Sequence, residues 1–130
     1  MVNLPNKIMI NEEGPREGFQ IESSNIPTED KIELINMLSE TGVKHIQMVS
    51  FVNPKIVPGM ADAEAVVAGV KMKKDVDYTG LWLNQRGFER ALACNRLHME
   101  GALTLYSSKA FLKKNQNRTP QQQLDAQHDL

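Results

Sequence analysis

The chain has 130 residues, of which 41% are hydrophobic and 24% charged, and its formal net charge is -1. This balance predicts one globular domain rather than a disordered tail, and the near-neutral charge argues against a dedicated nucleic-acid scaffold. Residues 66–130 carry an excess of basic side chains. That half could face a phosphate-bearing ligand, although a solvated helix surface is the preferred interpretation.

The single cysteine, Cys94, excludes an internal disulfide and a multi-cysteine zinc site. A reducing compartment is therefore the default. No apolar run approaches the roughly 18 residues that a membrane helix needs. Residues 1–7 show neither an apolar signal core nor an arginine-rich transit pattern. We expect a cytoplasmic protein that binds neither membranes nor nucleic acid.

The first predicted strand covers residues 7–13, and Gly14-Pro15 is expected to end it in a charged loop at 16–18. A helix then begins at Pro27, with Thr28 as its predicted cap and Gly42 just beyond its end. Ile32, Ile35 and Leu38 recur at helical spacing and predict its buried stripe.

The later elements continue the alternation of strand and helix. They are a strand at 45–50, a helix at 62–72, a strand at 78–83, a helix at 87–95, a fourth strand at 102–106, a helical turn at 108–114, and a helix that starts from the capping-box spacing at 119–122. This order predicts an α/β fold of parallel (βα) units with helical crossovers.

Polar residues cluster where the predicted strands end, which is where parallel α/β folds bind ligands. They are Arg16, Glu17 and Gln20 after the first strand; Gln47, Ser50 and Lys55 in and after the second; Asn84 after the third; and Ser108 after the fourth. From composition alone, an ion pair between Arg16 and Glu17 is favoured over a site. His45, His98 and His128 share no ligand spacing and are interpreted as structural or exposed. Cys94 is interpreted as a small buried hydrophobe rather than a nucleophile.

Several sequence blocks occur in a colinear series over nearly the whole chain. They are Gly14-Pro15-Arg16-Glu17-Gly18-Phe19-Gln20, Pro27-Thr28 through Lys31-Ile32, Leu38-Ser39-Glu40-Thr41-Gly42, Ser50-Phe51-Val52-Asn53-Pro54-Lys55, Val57-Pro58 with Met60-Ala61-Asp62, and Phe111 with Lys113-Lys114-Asn115. The series resembles the hydroxymethylglutaryl-CoA lyases. That family belongs to a metal-dependent superfamily of (β/α)8 barrels that cleave or form carbon–carbon bonds next to a thioester or keto acid.

The resemblance implies roles for individual residues. Arg16 matches the arginine that steadies the enolate oxygen of the departing acetyl group, and Glu17 occupies the position of a metal-binding aspartate, so Mg²⁺ or Mn²⁺ is the implied cofactor. Gln47 stands where the superfamily has a glutamate that supports the arginine. Arg16 and Gln47 are thus the predicted catalytic residues and Glu17 the predicted metal ligand. The predicted substrate-binding residues are Gln20, Ser50, Lys55, Asn84 and Ser108.

Two of these positions depart from the family's signature. Glu17 is one methylene longer than aspartate, which displaces its carboxylate by about 1.5 Å. Gln47 lacks the negative charge of glutamate, so Arg16 loses one ionic partner. The departures indicate either a different substrate or a loss of activity.

Length is the largest departure, because a (β/α)8 barrel needs about 250 residues. Residues 1–130 are interpreted as a partial lyase-like barrel domain, the N-terminal half of a TIM barrel with strands one to four. The family's His-x-His, its catalytic cysteine and its glycine-rich loop do not occur in these residues, and Cys94 is in the wrong place to substitute.

Three hypotheses follow. The first is a lyase that cleaves a 3-hydroxyacyl-CoA to acetyl-CoA plus a keto acid or ketone, and the block from Ser50 to Lys55 favours it. The second is a non-catalytic half-barrel that acts by self-association. The third is an acyl-CoA condensing synthase. An acyl-CoA thioester is the implied substrate, and a homodimer or a complementing C-terminal half is the expected partner.

The half-barrel interpretation makes three structural and chemical predictions. Arg16, Glu17 and Gln47 should lie on one rim, at the ends of the first two strands. The inward face of the sheet should carry apolar side chains from Ile8, Ile46, Leu81 or Leu103. Without a partner chain, that face would meet water. The isolated chain should bind a divalent metal weakly and have negligible lyase activity.

Overall fold

A computed structural model describes residues 4–22, 26–101 and 104–128. Its elements, in chain order, are β1 Asn11–Glu12, α1 Gly14–Ile21, α2 Thr28–Glu40, β2 His45–Ser50, a 3₁₀ turn Pro58–Met60, α3 Ala63–Gly69, β3 Asp77–Leu81, α4 Gln85–Ala93, α5 Lys109–Gln116 and α6 Pro120–His128. The described strands form a parallel sheet in the order β1-β2-β3. The predicted α/β fold of parallel (βα) units is confirmed.

The first strand is shorter than predicted. Asn11 pairs with His45, which is the first residue of β2, so the preceding residues have no β2 residue to pair with. Ile8, Met9 and Ile10 consequently lie exposed outside β1.

The predicted charged loop at 16–18 is wrong, because α1 begins at Gly14 and carries Pro15 in its first turn. A proline fits this position since its fixed φ suits a helix and its missing N–H is not needed there. The change matters for the site, because it places Arg16 and Glu17 on a helix rather than a loop.

The predicted fourth strand is absent from residues 104–106, and residues 102 and 103 lie outside the described part of the chain. The Thr104 carbonyl accepts hydrogen bonds from the Gln123 and Gln127 side chains at 3.3 and 2.7 Å. Side chains of α6 thus take the bonds that a neighbouring strand would supply. The capping box that starts α6 is confirmed, since Thr119 and Gln122 exchange side-chain-to-backbone bonds in both directions.

Helix α2 matches its prediction in position and in its buried stripe. Ile35 is fully buried, Ile32 and Leu38 pack against the core, and Gly42 has the positive φ of 92° expected after a helix end. The predicted cap by Thr28 is wrong, because its hydroxyl donates to the Asp62 carboxylate at 2.7 Å instead.

The two faces of the sheet differ in chemistry. Ile46, Met48 and Tyr78 belong to the buried apolar cluster between the sheet and its helices. Side chains alternate along a strand, so His45, Gln47 and Thr79 point to the opposite, concave face, where they line a cavity with Leu81. The predicted inward position of Ile46 is therefore wrong, and the cavity on the concave face is lined by polar side chains together with Leu81, Trp82 and Leu83.

The remaining residues of that prediction fall elsewhere. Ile8 is exposed outside the sheet, Leu81 does line the concave face, and Leu103 lies outside the described residues. In the ranges 4–22, 26–101 and 104–128, no helix is long and apolar enough to cross a membrane. A cytoplasmic location stays a prediction.

Candidate active site

Arg16 lies at the centre of a hydrogen-bonded group at the start of α1. Its Nε donates to Gln47 Oε1 at 2.6 Å, and its two terminal nitrogens donate to Glu13, at 2.5 Å, and to Glu17. The Arg16 side chain is only 14% exposed. A guanidinium has five N–H donors, and three are used in these bonds, so two bond to none of the described residues.

The predicted proximity of Arg16, Glu17 and Gln47 is confirmed, with one difference in position. Arg16 and Glu17 follow β1 closely, whereas Gln47 lies within β2 rather than at its end. The reach of the Arg16 side chain closes this gap. The ion pair that composition favoured between Arg16 and Glu17 is present in the same group.

The Arg16 bond also fixes the orientation of the Gln47 amide. An arginine Nε–H can only donate, so Gln47 must present its oxygen to Arg16, and its NH₂ group points away from that bond. A glutamate at this position would offer acceptors only. The substitution therefore puts hydrogen-bond donors beside Arg16, in the wall of the cavity.

That cavity has a volume of about 250 Å³ and lies on the concave face of the sheet. Its polar lining includes Glu13, His45, Gln47 and Thr79. His45 Nε2 lies 3.2 Å from Thr79 Oγ1, and the 15% exposed imidazole has its Nδ1 3.9 Å from Glu100. The sequence interpretation missed this placement of His45, although its spacing of two residues from Gln47 on one strand was the available signal.

The described residues do not fit a divalent cation on their own. Glu17 is predominantly exposed and its carboxylate pairs with Arg16, which competes with any metal for the same oxygens. Among the residues that the structure describes, no group of three or more His, Cys, Asp or Glu side chains could hold an ion. Octahedral Mg²⁺ or Mn²⁺ takes oxygen ligands from several groups, so Glu17 alone is insufficient.

Three of the predicted substrate-binding residues have no other evident structural task. Gln20 is half-buried on α1, and Lys55 is exposed in the loop after β2. Ser50 is fully buried at the end of β2, and its hydroxyl has no hydrogen-bond partner among the described residues. Their contact with substrate stays a prediction.

Asn84 and Ser108 both cap helices. Asn84 Oδ1 accepts from the Gly87 N–H at 2.9 Å at the start of α4, and Ser108 Oγ accepts from the Phe111 N–H at 3.2 Å at the start of α5. These are the residue types preferred at helix N-caps. The capping bonds account for both side chains, and a role in substrate binding stays a prediction.

Cys94 has the surroundings of an unreactive thiol. Partial burial and the nearby Glu64 carboxylate raise its pKa above the usual value, which outweighs the opposing effect of Arg90. The thiol also donates to the Arg90 carbonyl at 3.4 Å. A raised pKa lowers the thiolate fraction, which agrees with the interpretation of Cys94 as a small packing residue.

No protein-family model matches the chain. The chain is 42% identical over 120 residues to the hydroxymethylglutaryl-CoA lyase YngG of Bacillus subtilis, an alignment that covers 92% of this chain and 40% of that protein. It is 43% identical over 117 residues to the mitochondrial hydroxymethylglutaryl-CoA lyase of Rattus norvegicus, covering 90% and 35% respectively. The chain is a partial homologue of the hydroxymethylglutaryl-CoA lyases.

Solved lyase structures show the same similarity. The Bacillus subtilis HMG-CoA lyase superposes with a TM-score of 0.84 at 39% identity, over 96% of this chain and 41% of that one. A lyase from Acinetobacter baumannii in complex with coenzyme A and 3-methylmalate gives 0.86 at 34% identity, over 99% and 42%. This lyase homologue thus has the fold of part of a TIM barrel, and it spans about two fifths of the relatives it matches.

Proposed function

We propose that this chain supplies the arginine-bearing part of a lyase active site, which cleaves a 3-hydroxyacyl-CoA to acetyl-CoA plus a keto acid or ketone. One observation carries the proposal. Arg16 is bound to Gln47, a residue that lines the cavity, and two of its N–H donors bond to none of the described residues. The homology to hydroxymethylglutaryl-CoA lyases supports an acyl-CoA thioester as the substrate class.

The reaction is a retro-Claisen cleavage. A base removes the proton of the 3-hydroxyl group, the C–O bond becomes a carbonyl, and the carbon–carbon bond breaks. The electron pair of the broken bond forms the enolate of the acetyl thioester, which is then protonated. Arg16 donates to the enolate oxygen, and such a pre-positioned donor stabilises charge where it develops. The Gln47 NH₂ group supplies neutral donors beside it.

We infer that the metal implied by the family resemblance would need ligands from outside the described residues. Glu17 is the ligand that the resemblance implies, but it and its neighbour Glu13 would have to exchange their ion pairs with Arg16 for the cation. We expect the 130-residue chain to bind Mg²⁺ or Mn²⁺ weakly, since one exposed carboxylate does not define an octahedral site.

We infer that the partner is a polypeptide that completes the barrel, either a second copy or a complementing C-terminal half. The solved relatives contain more than half of their length beyond the matched region. Ile8, Met9 and Ile10 expose apolar side chains next to β1, at the edge of the sheet where a further strand would pair. Once a partner completes the barrel, the concave face would line the inside of the barrel.

A non-catalytic half-barrel is the second candidate, and the charge around Arg16 favours it. Glu13 and Glu17 both bind the Arg16 guanidinium, so the group carries two carboxylates against one cation. An arginine neutralised in this way stabilises an enolate less effectively.

Complementation tests the lyase proposal. The 130-residue chain is assayed for acetyl-CoA release from hydroxymethylglutaryl-CoA, alone and mixed with the part of the Bacillus subtilis lyase that lies outside the 120 matched residues. We expect negligible release by the chain alone and measurable release by the mixture. Arg16→Ala should abolish the release, and Arg118→Ala, a control arginine between α5 and α6, should not.

Two outcomes would contradict the proposal. If the two parts co-purify as a stable complex that releases no acetyl-CoA, the non-catalytic candidate stands. If Arg16→Ala leaves the rate of the mixture unchanged, Arg16 is not the enolate-binding residue.

A further inference from the structure

Lys31 is a buried lysine in the first turns of α2, remote from the Arg16 group in sequence. Its residue surface is 3% exposed. Its ammonium donates to the Gly59 carbonyl at 2.7 Å and to the two Asp62 carboxylate oxygens at 2.8 and 3.0 Å. These bonds match the three donors of an ammonium. A charge in this position is fully paired, which a buried lysine requires.

The polar neighbours of Lys31 bond to one another rather than to the ends of their own helices. Thr28 stands at the start of α2 and Asp62 at the start of α3, but neither side chain caps its own helix. Thr28 Oγ1 donates to Asp62 instead, at 2.7 Å. One network of side chains thus joins α2 to the loop between β2 and α3.

The same network touches α1, the helix that carries Arg16. The Lys31 ammonium lies 5.9 Å from the centre of the Phe19 ring. Gly59, whose carbonyl Lys31 holds, approaches the Phe19 backbone so closely that an added Cβ would lie 2.6 Å from the Phe19 carbonyl oxygen. Phe19 follows Arg16 by one turn of α1. Lys31, Gly59 and Phe19 therefore lie together, and the α1 helix connects Phe19 to Arg16.

We propose that Lys31, with Asp62 and Thr28, is a positioning residue that holds α1 against the sheet so that Arg16 stays bound to Gln47. The inference deepens the proposed function, because it is that function which gives Arg16 its chemical task. The position of α1 against the sheet depends only on contacts within this chain.

Other lysine–carboxylate pairs in the chain lack this connection. Lys44 with Asp75 and Lys73 with Glu40 are ion pairs between exposed side chains. Exposed pairs of this kind contribute little to stability. Lys73→Met is therefore a matched control for Lys31→Met, since both remove one ammonium from an ion pair and keep an unbranched side chain.

The test measures hydrogen exchange of the Arg16 Nε–H by NMR, relative to the backbone amide of Met48 in the sheet core. In Lys31→Met we expect this ratio to rise about tenfold, which corresponds to weakening one hydrogen bond. Lys73→Met should leave the ratio unchanged. The ratio distinguishes positioning of Arg16 from general stabilisation of the fold. A general loss of stability would speed exchange at the Arg16 Nε–H and at the Met48 amide equally.

A double variant, Lys31→Met with Asp62→Leu, guards against a failure to fold. Apolar replacement of a buried ion pair restores stability in many proteins, but it does not remake the bond to the Gly59 carbonyl. We expect the double variant to recover the wild-type unfolding midpoint, while its ratio of Arg16 to Met48 exchange stays raised. An Arg16 ratio at the wild-type value in a folded Lys31→Met or double variant would overturn it. Because no step uses catalysis, a failure of the complementation assay leaves this result interpretable.

Discussion

The two faces of strand β2 carry different chemistry within one run of residues. Ile46 and Met48 are buried under the helices, whereas His45 and Gln47, each one residue away, line the polar cavity. The apolar face packs α2 and α3 onto the sheet. The polar face holds Arg16 through Gln47. Stability and the candidate chemistry are therefore separable by neighbouring substitutions in β2.

The largest expected effect comes from Ile46→Ala. Ile46 is fully buried, so its truncation leaves a cavity and should lower the free energy of unfolding by about 2–5 kcal/mol. Gln47→Ala removes one hydrogen bond to the charged Arg16 on the other face and should cost less, about 1.5–3 kcal/mol. Denaturant unfolding of both variants measures the difference. Equal losses would mean that the concave face also belongs to the stabilising core.

A smaller effect is expected from Gly59→Ala, which tests how α1 is held. The new methyl group would meet the Phe19 carbonyl oxygen at 2.6 Å, and moving that backbone should cost about 1–3 kcal/mol. Gly18→Ala on α1 is the matched control. Its Cβ has no atom within 4 Å, so helix propensity should stabilise the chain by about 0.5–1 kcal/mol. Similar thermal midpoints for the two variants would contradict a close contact at Gly59.

The smallest effect is a pH dependence from the Lys31 cluster. Burial raises the pKa of the Asp62 carboxyl, but hydrogen bonds from Lys31 and Thr28 and the Lys31 charge outweigh it, so the pKa lies below its usual value. The unfolded chain then binds more protons than the folded one as the pH falls. The contribution is present above pH 3.8, the usual pKa, and is lost as the pH falls through the lower folded value.

The control for that prediction is Asp62→Asn, which cannot titrate. Unfolding curves measured between neutral and acid pH should converge for the two proteins in acid. A stability difference that does not change with pH would show that Asp62 acts without its charge.

Local signals predicted much of the fold. The position of β2, the stripe of α2 and the capping box at Thr119 are each encoded within a few residues, and the structure confirms them. Hydrogen-bond partners that are distant in the sequence could not be predicted from it. Thr28 was expected to cap its helix, but its hydroxyl bonds to Asp62, 34 positions away. The prediction of a fourth strand was wrong for a similar reason, since side chains of α6 donate hydrogen bonds to the Thr104 carbonyl.

The candidate site was likewise predicted only in part from the sequence. The motif around Arg16 and its distance from Gln47 predicted their proximity, because two parallel strands bring those positions together. Composition could not reveal that Glu13 joins them or that His45 faces the same cavity. The burial of Lys31 was also hidden, because a lysine in the first turn of a helix is usually solvated.

The hydrogen bond from Arg16 Nε to Gln47 Oε1 is the contact on which the whole account depends. NMR of the Arg16 Nε–H in the unmodified chain and in Gln47→Ala tests it most directly, with the exposed Arg86 as the internal reference. We predict a slowly exchanging Arg16 resonance that exchanges like Arg86 once Gln47 is truncated. An Arg16 resonance that exchanges as fast as Arg86 in the unmodified chain would contradict the account.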